Sequence, residues 1–148
     1  MIILSVDYGE ARTGIAVCDE TETIASPVTT ITGGYIPKLA DNVLQLVKKH
    51  NAKMVIVGYP LNMDGSAGAS AKKCADLANL LERELQIPVK LWDERLSTVQ
   101  AHKSFNHMNI RGKKRKENID KLAAVIILEE YLAYRKNKEG SGENKDEQ

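Results

Sequence analysis

The chain has 148 residues, 43% of them hydrophobic and 28% charged, a size and balance that fit one globular domain around a single core and exclude a multidomain machine. No stretch approaches the roughly 20 consecutive apolar residues of a membrane-spanning helix, and the first apolar run meets Asp7 too early for a signal peptide, so a cytoplasmic protein without a membrane partner is expected. The formal net charge of +1 excludes a global basic footprint.

In chain order, residues 2–6 form an apolar run ending at Asp7-Tyr8-Gly9, which predicts a buried strand followed by a turn. Residues 14–19 supply a second strand, paired with the first as a hairpin. Residues 24–31, rich in Thr, Val and Ile, supply a third, and Pro27 inside it calls for a sheet edge or a bulge. After Gly33-Gly34 the period changes. Ile36, Leu39, Ala40, Val43, Leu46 and Val47 recur at three- and four-residue steps, as on one face of a helix. Residues 54–58 read as a buried strand, 59–68 as a turn-rich connection, and Ala71, Cys74, Ala75, Ala78, Leu81 and Leu85 as the inner face of a second helix. A fifth strand spans 89–93 and also stops at acids. Ser97-x-x-Gln100 matches a capping box and predicts a helix from near 97 towards 107. Residues 109–118 have little apolar content and are expected to form a loop. Residues 119–134 form the clearest helix, with Leu122, Ala123, Ile126, Ile127, Glu130 and Tyr134 at helical spacing.

The resulting order, β-β-β-α-β-α-β-α-α, predicts an α/β fold. Its five-stranded mixed sheet has three antiparallel strands, then two parallel ones, with helices on both faces. The expected domain covers residues 1–136, and residues 137–148 are a polar, disordered tail. Cys18 and Cys74 lie far apart with no zinc-ligand spacing, and both are expected to be buried small hydrophobes.

Three acids stand in unusual places. Asp7 ends one apolar strand, Glu94 and its neighbour Asp93 end another, and Asp120 opens the last helix in line with Ala124, Ile127, Leu128 and Tyr131. Singly, each has an ordinary explanation: a turn for Asp7, an arginine partner for Glu94, the helix dipole for Asp120. Together they converge, because the carboxyl ends of strands in such sheets gather at one edge, where sites form. Clustered carboxylates call for a cation, and all-oxygen ligation suits Mg²⁺ or Mn²⁺. A two-metal site of that kind clamps the attacking and leaving oxygens of a phosphodiester, so hydrolysis of a nucleic-acid backbone is the natural hypothesis. His50, His102 and His107 have no metal-ligand spacing and are read as surface or packing residues.

Four blocks in order resemble the signatures of the YqgF family of Holliday-junction-resolvase-like proteins and pre-16S ribosomal RNA nucleases. These are Asp7-Tyr8-Gly9-x-x-Arg12-x-Gly14-Ile15-Ala16, Gly58-Tyr59-Pro60-Leu61-Asn62-Met63-Asp64-Gly65, Asp93-Glu94-Arg95-Leu96-Ser97-Thr98 and Asp120-Lys121-Leu122-Ala123-Ala124. The resemblance implies an RNase H-like fold, with Asp7, Glu94 and Asp120 as metal-binding catalytic acids. Asp93 is left as a residue beside the site, since neighbours on a strand face opposite ways unless the strand has ended. Arg12 and Arg95 become candidates for phosphate contacts or for holding the carboxylates. The connection before the second helix, 60–68, is either a plain βα turn or a phosphate seat.

Six basic and two acidic residues between 111 and 121 give that stretch a local charge of +4 and leave −3 on the rest. Lys113, Lys114, Arg115 and Lys116 are therefore candidate contacts to a substrate strand, as a flexible arm, or else an ordinary solvated loop. The expected partner is nucleic acid, either precursor ribosomal RNA or branched DNA, and the expected assembly is a monomer or homodimer. Processing of the 5′ end of pre-16S ribosomal RNA is the leading function. The alternatives are a Holliday junction resolvase in DNA recombination and repair, or a non-catalytic nucleic-acid-binding module. An actin-like ATPase also places Asp-x-Gly before a hairpin glycine, but it needs two such domains and this chain has room for one.

Overall fold

A computed structural model describes residues 1–95 and 121–138 with their side chains, and residues 96, 113–120 and 139–141 by their backbone alone. The sheet contains β1 (Ile3–Asp7), β2 (Arg12–Cys18), β3 (Ala25–Thr32), β4 (Met54–Tyr59) and β5 (Val89–Asp93), in the order β3-β2-β1-β4-β5. β1 to β3 are antiparallel, while β4 and β5 run parallel to β1, as the pattern predicts. Pro27 is on edge strand β3, where its missing N–H leaves no unmade bond inside the sheet. The β2–β3 register also shifts there, with Ile15 opposite Thr29 but Ala16 opposite Pro27. Edge and bulge both occur.

Helices α1 (Ile36–His50) and α2 (Ala69–Glu84) connect β3 to β4 and β4 to β5. Pro37 starts α1 in the first turn, where a missing N–H is harmless, and Asn51 ends it in the left-handed region at φ 56°. Both helices pack on one face of the sheet. Leu4, Val6, Ile15, Val55 and Val57 meet Leu39, Val43, Val47, Cys74, Leu77 and Leu81 in a continuous apolar cluster. The alternate strand residues face the other way. Ile3, Ala16, Cys18, Met54 and Ile56 pack against Ala123, Ala124, Ile127, Leu128 and Tyr131 of α3 (Lys113–Ser141). Cys18 and Cys74 are both buried, and neither is in a disulfide.

Helix α3 departs from expectation at both ends. It begins at Lys113, so residues 113–118 are helical rather than a loop, and it continues to Ser141, past the domain boundary expected at 136. Its buried stripe also differs. Leu122 is 51% exposed and Tyr134 45%, whereas Ala124, Ile127, Leu128 and Tyr131, the residues in line with Asp120, are buried. Near its middle α3 offers several apolar residues on both sides, and the sheet selects the set with small residues at closest approach. The helix expected from the Ser97 capping box lies outside the described residues. No helix among the described residues is long and apolar enough to cross a membrane.

One hydrogen bond fixes the register of α3 on the sheet. The hydroxyl of Ser5, fully buried on β1, donates to the carbonyl of Ala124 at 2.7 Å. Ser5→Ala removes the donor while Ala124 keeps its place in the helix, so stability is expected to fall by about 1 kcal/mol. Urea unfolding checks this as an earlier midpoint at an unchanged slope.

Candidate active site

The alternation along β1 sends Ile3, Ser5 and Asp7 to the α3 face and Leu4 and Val6 to the other. Asp7 therefore enters the α3 interface at the carboxyl end of its strand and is 4% exposed. The register of β1 with β4 pairs Val6 with Val57, so Asp7 is level with Gly58. Across β4, Gly58 pairs with Trp92 of β5. Glu94 comes two residues after Trp92, where β5 has ended and the backbone tightens into a short 3₁₀ turn, Glu94–Leu96. Its side chain folds back over β4. A methyl group on Gly58 would run into Glu94 Oε2 and lie 2.9 Å from Ile127 Cδ1. The Glu94 carboxylate, 3% exposed, thus rests on the backbone of the strand next to Asp7, and adjacent strands are about 4.8 Å apart.

Helix α3 runs antiparallel to β1. Ala124 bonds Ser5, and seven residues later the Tyr131 hydroxyl meets Met54 Sδ at 3.5 Å, at the start of β4. Its N-terminal end therefore points to the edge where Asp7 and Glu94 lie. Asp120 is one turn before Ala124, about 6 Å along the axis towards that edge. The Asp120 side chain is outside the described residues. Among those that are described, no group of three His, Cys, Asp or Glu is placed to hold a metal ion.

Two buried acids thus share the carboxyl edge of the sheet, and the helix of a third acid is directed at it. The model of the RuvX family, described as Holliday junction resolvase, matches residues 1–134. This chain belongs to that family. A protein of Halothermothrix orenii named "Putative pre-16S rRNA nuclease" is 41% identical over 144 residues, which cover 95% of this chain and 100% of the relative. One of the same name from Thermoanaerobacter pseudethanolicus is 40% identical over 139 residues, 93% of this chain and 100% of that one. Among solved structures, Thermus thermophilus RuvC in complex with a Holliday junction substrate matches 92% of this chain and 96% of its own at a TM-score of 0.59 and 13% identity. That likeness is one of fold, and it is the RNase H-like fold.

Within this RuvX-family chain, Asp93 is the last residue of β5 and Glu94 the first of the 3₁₀ turn, and the two carboxylates have different surroundings. Asp93 faces away from Glu94 and is taken by Arg95, whose Nη2 donates to Asp93 Oδ2 at 2.8 Å and whose backbone N–H donates to Oδ1 at 2.9 Å. The guanidinium hydrogen bonds hold the Asp93 carboxyl below its ordinary range, against a smaller effect of burial. Arg95 also reaches the 60–68 connection, where its Nη1 is 3.4 Å from where a methyl on Gly65 would sit. That connection is self-bonded: Asp64 Oδ1 accepts from Ser66 Oγ at 2.6 Å and from the Ser66 N–H at 2.9 Å. It leads into α2 through Gly68, which brings no side-chain cap. Arg12 is half-buried at the start of β2, on the face of Asp7, since Asp7 pairs with Gly14 two residues on.

Two contributors to the site are given no role by the sequence pattern, although Gly58 opens the second of the four family blocks. Ser5 looks like one polar residue inside an apolar strand, and Gly58 like a strand terminus. A glycine within a strand pattern signals close approach of another group, and here that group is Glu94.

The Asp93–Arg95 pair has a pH signature. A depressed carboxyl contributes stability above its unfolded value, about 3.9, and loses it as pH falls through the lower folded value. In Arg95→Ala the Asp93 carboxyl should rise towards that ordinary value, followed by carbon NMR titration. The loss of stability on acidification should be correspondingly shallower than in the parent.

Proposed function

We propose that this chain is a divalent-metal-dependent endonuclease that hydrolyses nucleic-acid phosphodiester bonds, and that its task is maturation of the 5′ end of pre-16S ribosomal RNA in the cytoplasm. The observation that carries this reading is the pair of buried carboxylates, Asp7 and Glu94, brought over neighbouring strands at the edge towards which the Asp120 helix runs. Their donor set is oxygen only, which fits Mg²⁺ or Mn²⁺. The names of the relatives from Halothermothrix orenii and Thermoanaerobacter pseudethanolicus support the substrate.

In this reading Asp7, Glu94 and Asp120 hold the metal ions. Bound there, a pair of divalent ions supplies Lewis-acid stabilisation of the charge that develops on the scissile phosphate and lowers the pKa of water. Everything else falls to the chain. Their burial limits how far the Asp7 and Glu94 carboxylates can move, so the ions they would hold have a defined place. Arg12, on the Asp7 face, meets a phosphate oxygen with its planar fork. Arg95 is oriented by Asp93 beside the 60–68 connection and faces the flanking backbone of the substrate.

Lys113, Lys114, Arg115 and Lys116 occupy the first turn of α3, which has no acidic residue. Cations at the positive end of a helix dipole repel it. A polyanion relieves that repulsion, so these residues serve as a helical, rather than flexible, substrate contact.

Asp7→Asn, Glu94→Gln and Asp120→Asn should each lower cleavage by about two orders of magnitude or more. The assay compares a precursor 16S RNA fragment with a four-way DNA junction, with Mg²⁺, Mn²⁺ or a chelator. Retained cleavage in all three variants would sink the metal-nuclease reading. A junction cut in preference to the RNA would favour the second reading, junction resolution, to which the family description points. That activity calls for two sites related by two-fold symmetry, visible as a dimer by mass in solution.

Neutralising Lys113, Lys114 and Lys116 together should weaken binding across sequences while leaving the cleavage step intact. The salt slope of binding should fall by about one for each phosphate that the chain no longer neutralises. Fluorescence anisotropy across a salt series measures it.

A further inference from the structure

We propose that Gly58 is a positioning residue of the metal site: its missing side chain is the seat that lets the Glu94 carboxylate reach across β4 to Asp7. The inference rests on the metal-nuclease reading above and adds a residue that neither the acids nor the basic run accounts for.

Glu94 starts two residues beyond the level of Asp7 and Gly58, after β5 has ended, and reaches its place only by folding back over β4. Any Cβ on Gly58 would run into Glu94 Oε2, and Ile127 Cδ1 is 2.9 Å away from it. The seat is thus walled by the helix that carries Asp120. Gly58 has no positive φ among the backbone exceptions, so the backbone itself accepts alanine. The groups that an added methyl meets are the ends of two flexible side chains, not backbone. The fold can yield by moving Glu94, and the cost then falls on ligand geometry rather than on stability. Groups that orient metal ligands typically change metal affinity 10- to 100-fold when altered.

Gly58→Ala should therefore fold, with a metal-free melting temperature within about 4 °C of the parent, a shift worth roughly 1 kcal/mol or less. It should bind Mn²⁺ at least about tenfold more weakly by calorimetry. Cleavage should lose kcat while KM for the nucleic acid stays near that of the parent. A double-mutant cycle assigns the effect. In a Glu94→Ala background there is no carboxylate to displace, and adding Gly58→Ala should change Mn²⁺ affinity by less than about twofold. In an Ile127→Ala background the methyl gains room on the helix side only, and the tenfold loss should persist.

Parent-like Mn²⁺ affinity in Gly58→Ala would overturn the proposal, and so would restoration by Ile127→Ala, which would reduce Gly58 to a packing residue. If Gly58→Ala does not fold, recovery of the fold in Gly58→Ala/Glu94→Ala supports the seat, and recovery only with Ile127→Ala refutes it. Glu94→Ala alone separates the two levels. If it binds Mn²⁺ like the parent, the metal reading fails, whatever Gly58 does.

Discussion

The close approach of α3 to one face of the sheet is the constraint from which the rest follows. It is possible because the surfaces that meet are shallow: Ala16 on the sheet, Ala123 and Ala124 on the helix, and Gly58 beneath Glu94 and Ile127. The Ser5 hydroxyl then pins the helix at Ala124, two residues along β1 from Asp7 and one helical turn from Asp120. A hydrogen bond of this kind contributes modestly to stability, but it sets translation along the helix axis, which apolar packing alone leaves soft. Slipping α3 by one turn would move Asp120 by about 5.4 Å, beyond what side-chain rotation recovers.

The two faces of the sheet divide the work. The α1–α2 face is apolar from end to end, with Leu4, Val6, Val55 and Val57 against two helices, and it supplies most of the core. The α3 face is apolar only at the start of the strands, where Ile3, Met54 and Ile56 lie, and turns polar towards their ends with Ser5, Asp7 and Glu94. Burying carboxylates is expensive, and two near one another more so. A fold can sustain that expense where the opposite face already secures the sheet. The same gradient explains why the acids gather at the carboxyl ends of β1 and β5 and not at the middle of the strands.

Most of this is legible in the sequence for identifiable reasons. Period-two and period-three-to-four patterns give all five strands and α1 and α2 to within a few residues, because each has one clear buried face or is wholly buried. Pro27 marks its edge and bulge because a missing N–H has few other outlets. Asp7 and Glu94 stand out as acids at the ends of apolar runs. What periodicity does not decide is α3. Its central residues are apolar on more than one side, so the choice of the Ala124–Ile127–Leu128–Tyr131 stripe over Leu122 and Tyr134 is made by the fit of small residues against the sheet. The roles of Ser5 and Gly58 stay hidden for a similar reason. Their importance lies in what approaches them from 119 and 36 residues away in the chain, and no local pattern encodes that.

The start of α3 differs from the other helices in a way that bears on function. α1 ends with Lys48, Lys49 and His50, and α2 with Arg83, the arrangement a helix dipole favours. α3 instead begins with Lys113, Lys114, Arg115 and Lys116, so its dipole and its side-chain charges add up to positive potential at one end. An isolated helix of this composition would fray there, and the residues that make it a poor start are those that make it a good counterpart to a phosphate chain. The two needs meet in sequence order: four cations, then within the next turn Asp120, then the apolar stripe that docks on the sheet. In the proposed nuclease, the residues for substrate attraction and for metal binding would thereby share one helix. On that proposal, a strand drawn to the first turn of α3 would lie next to the edge that holds Asp7 and Glu94.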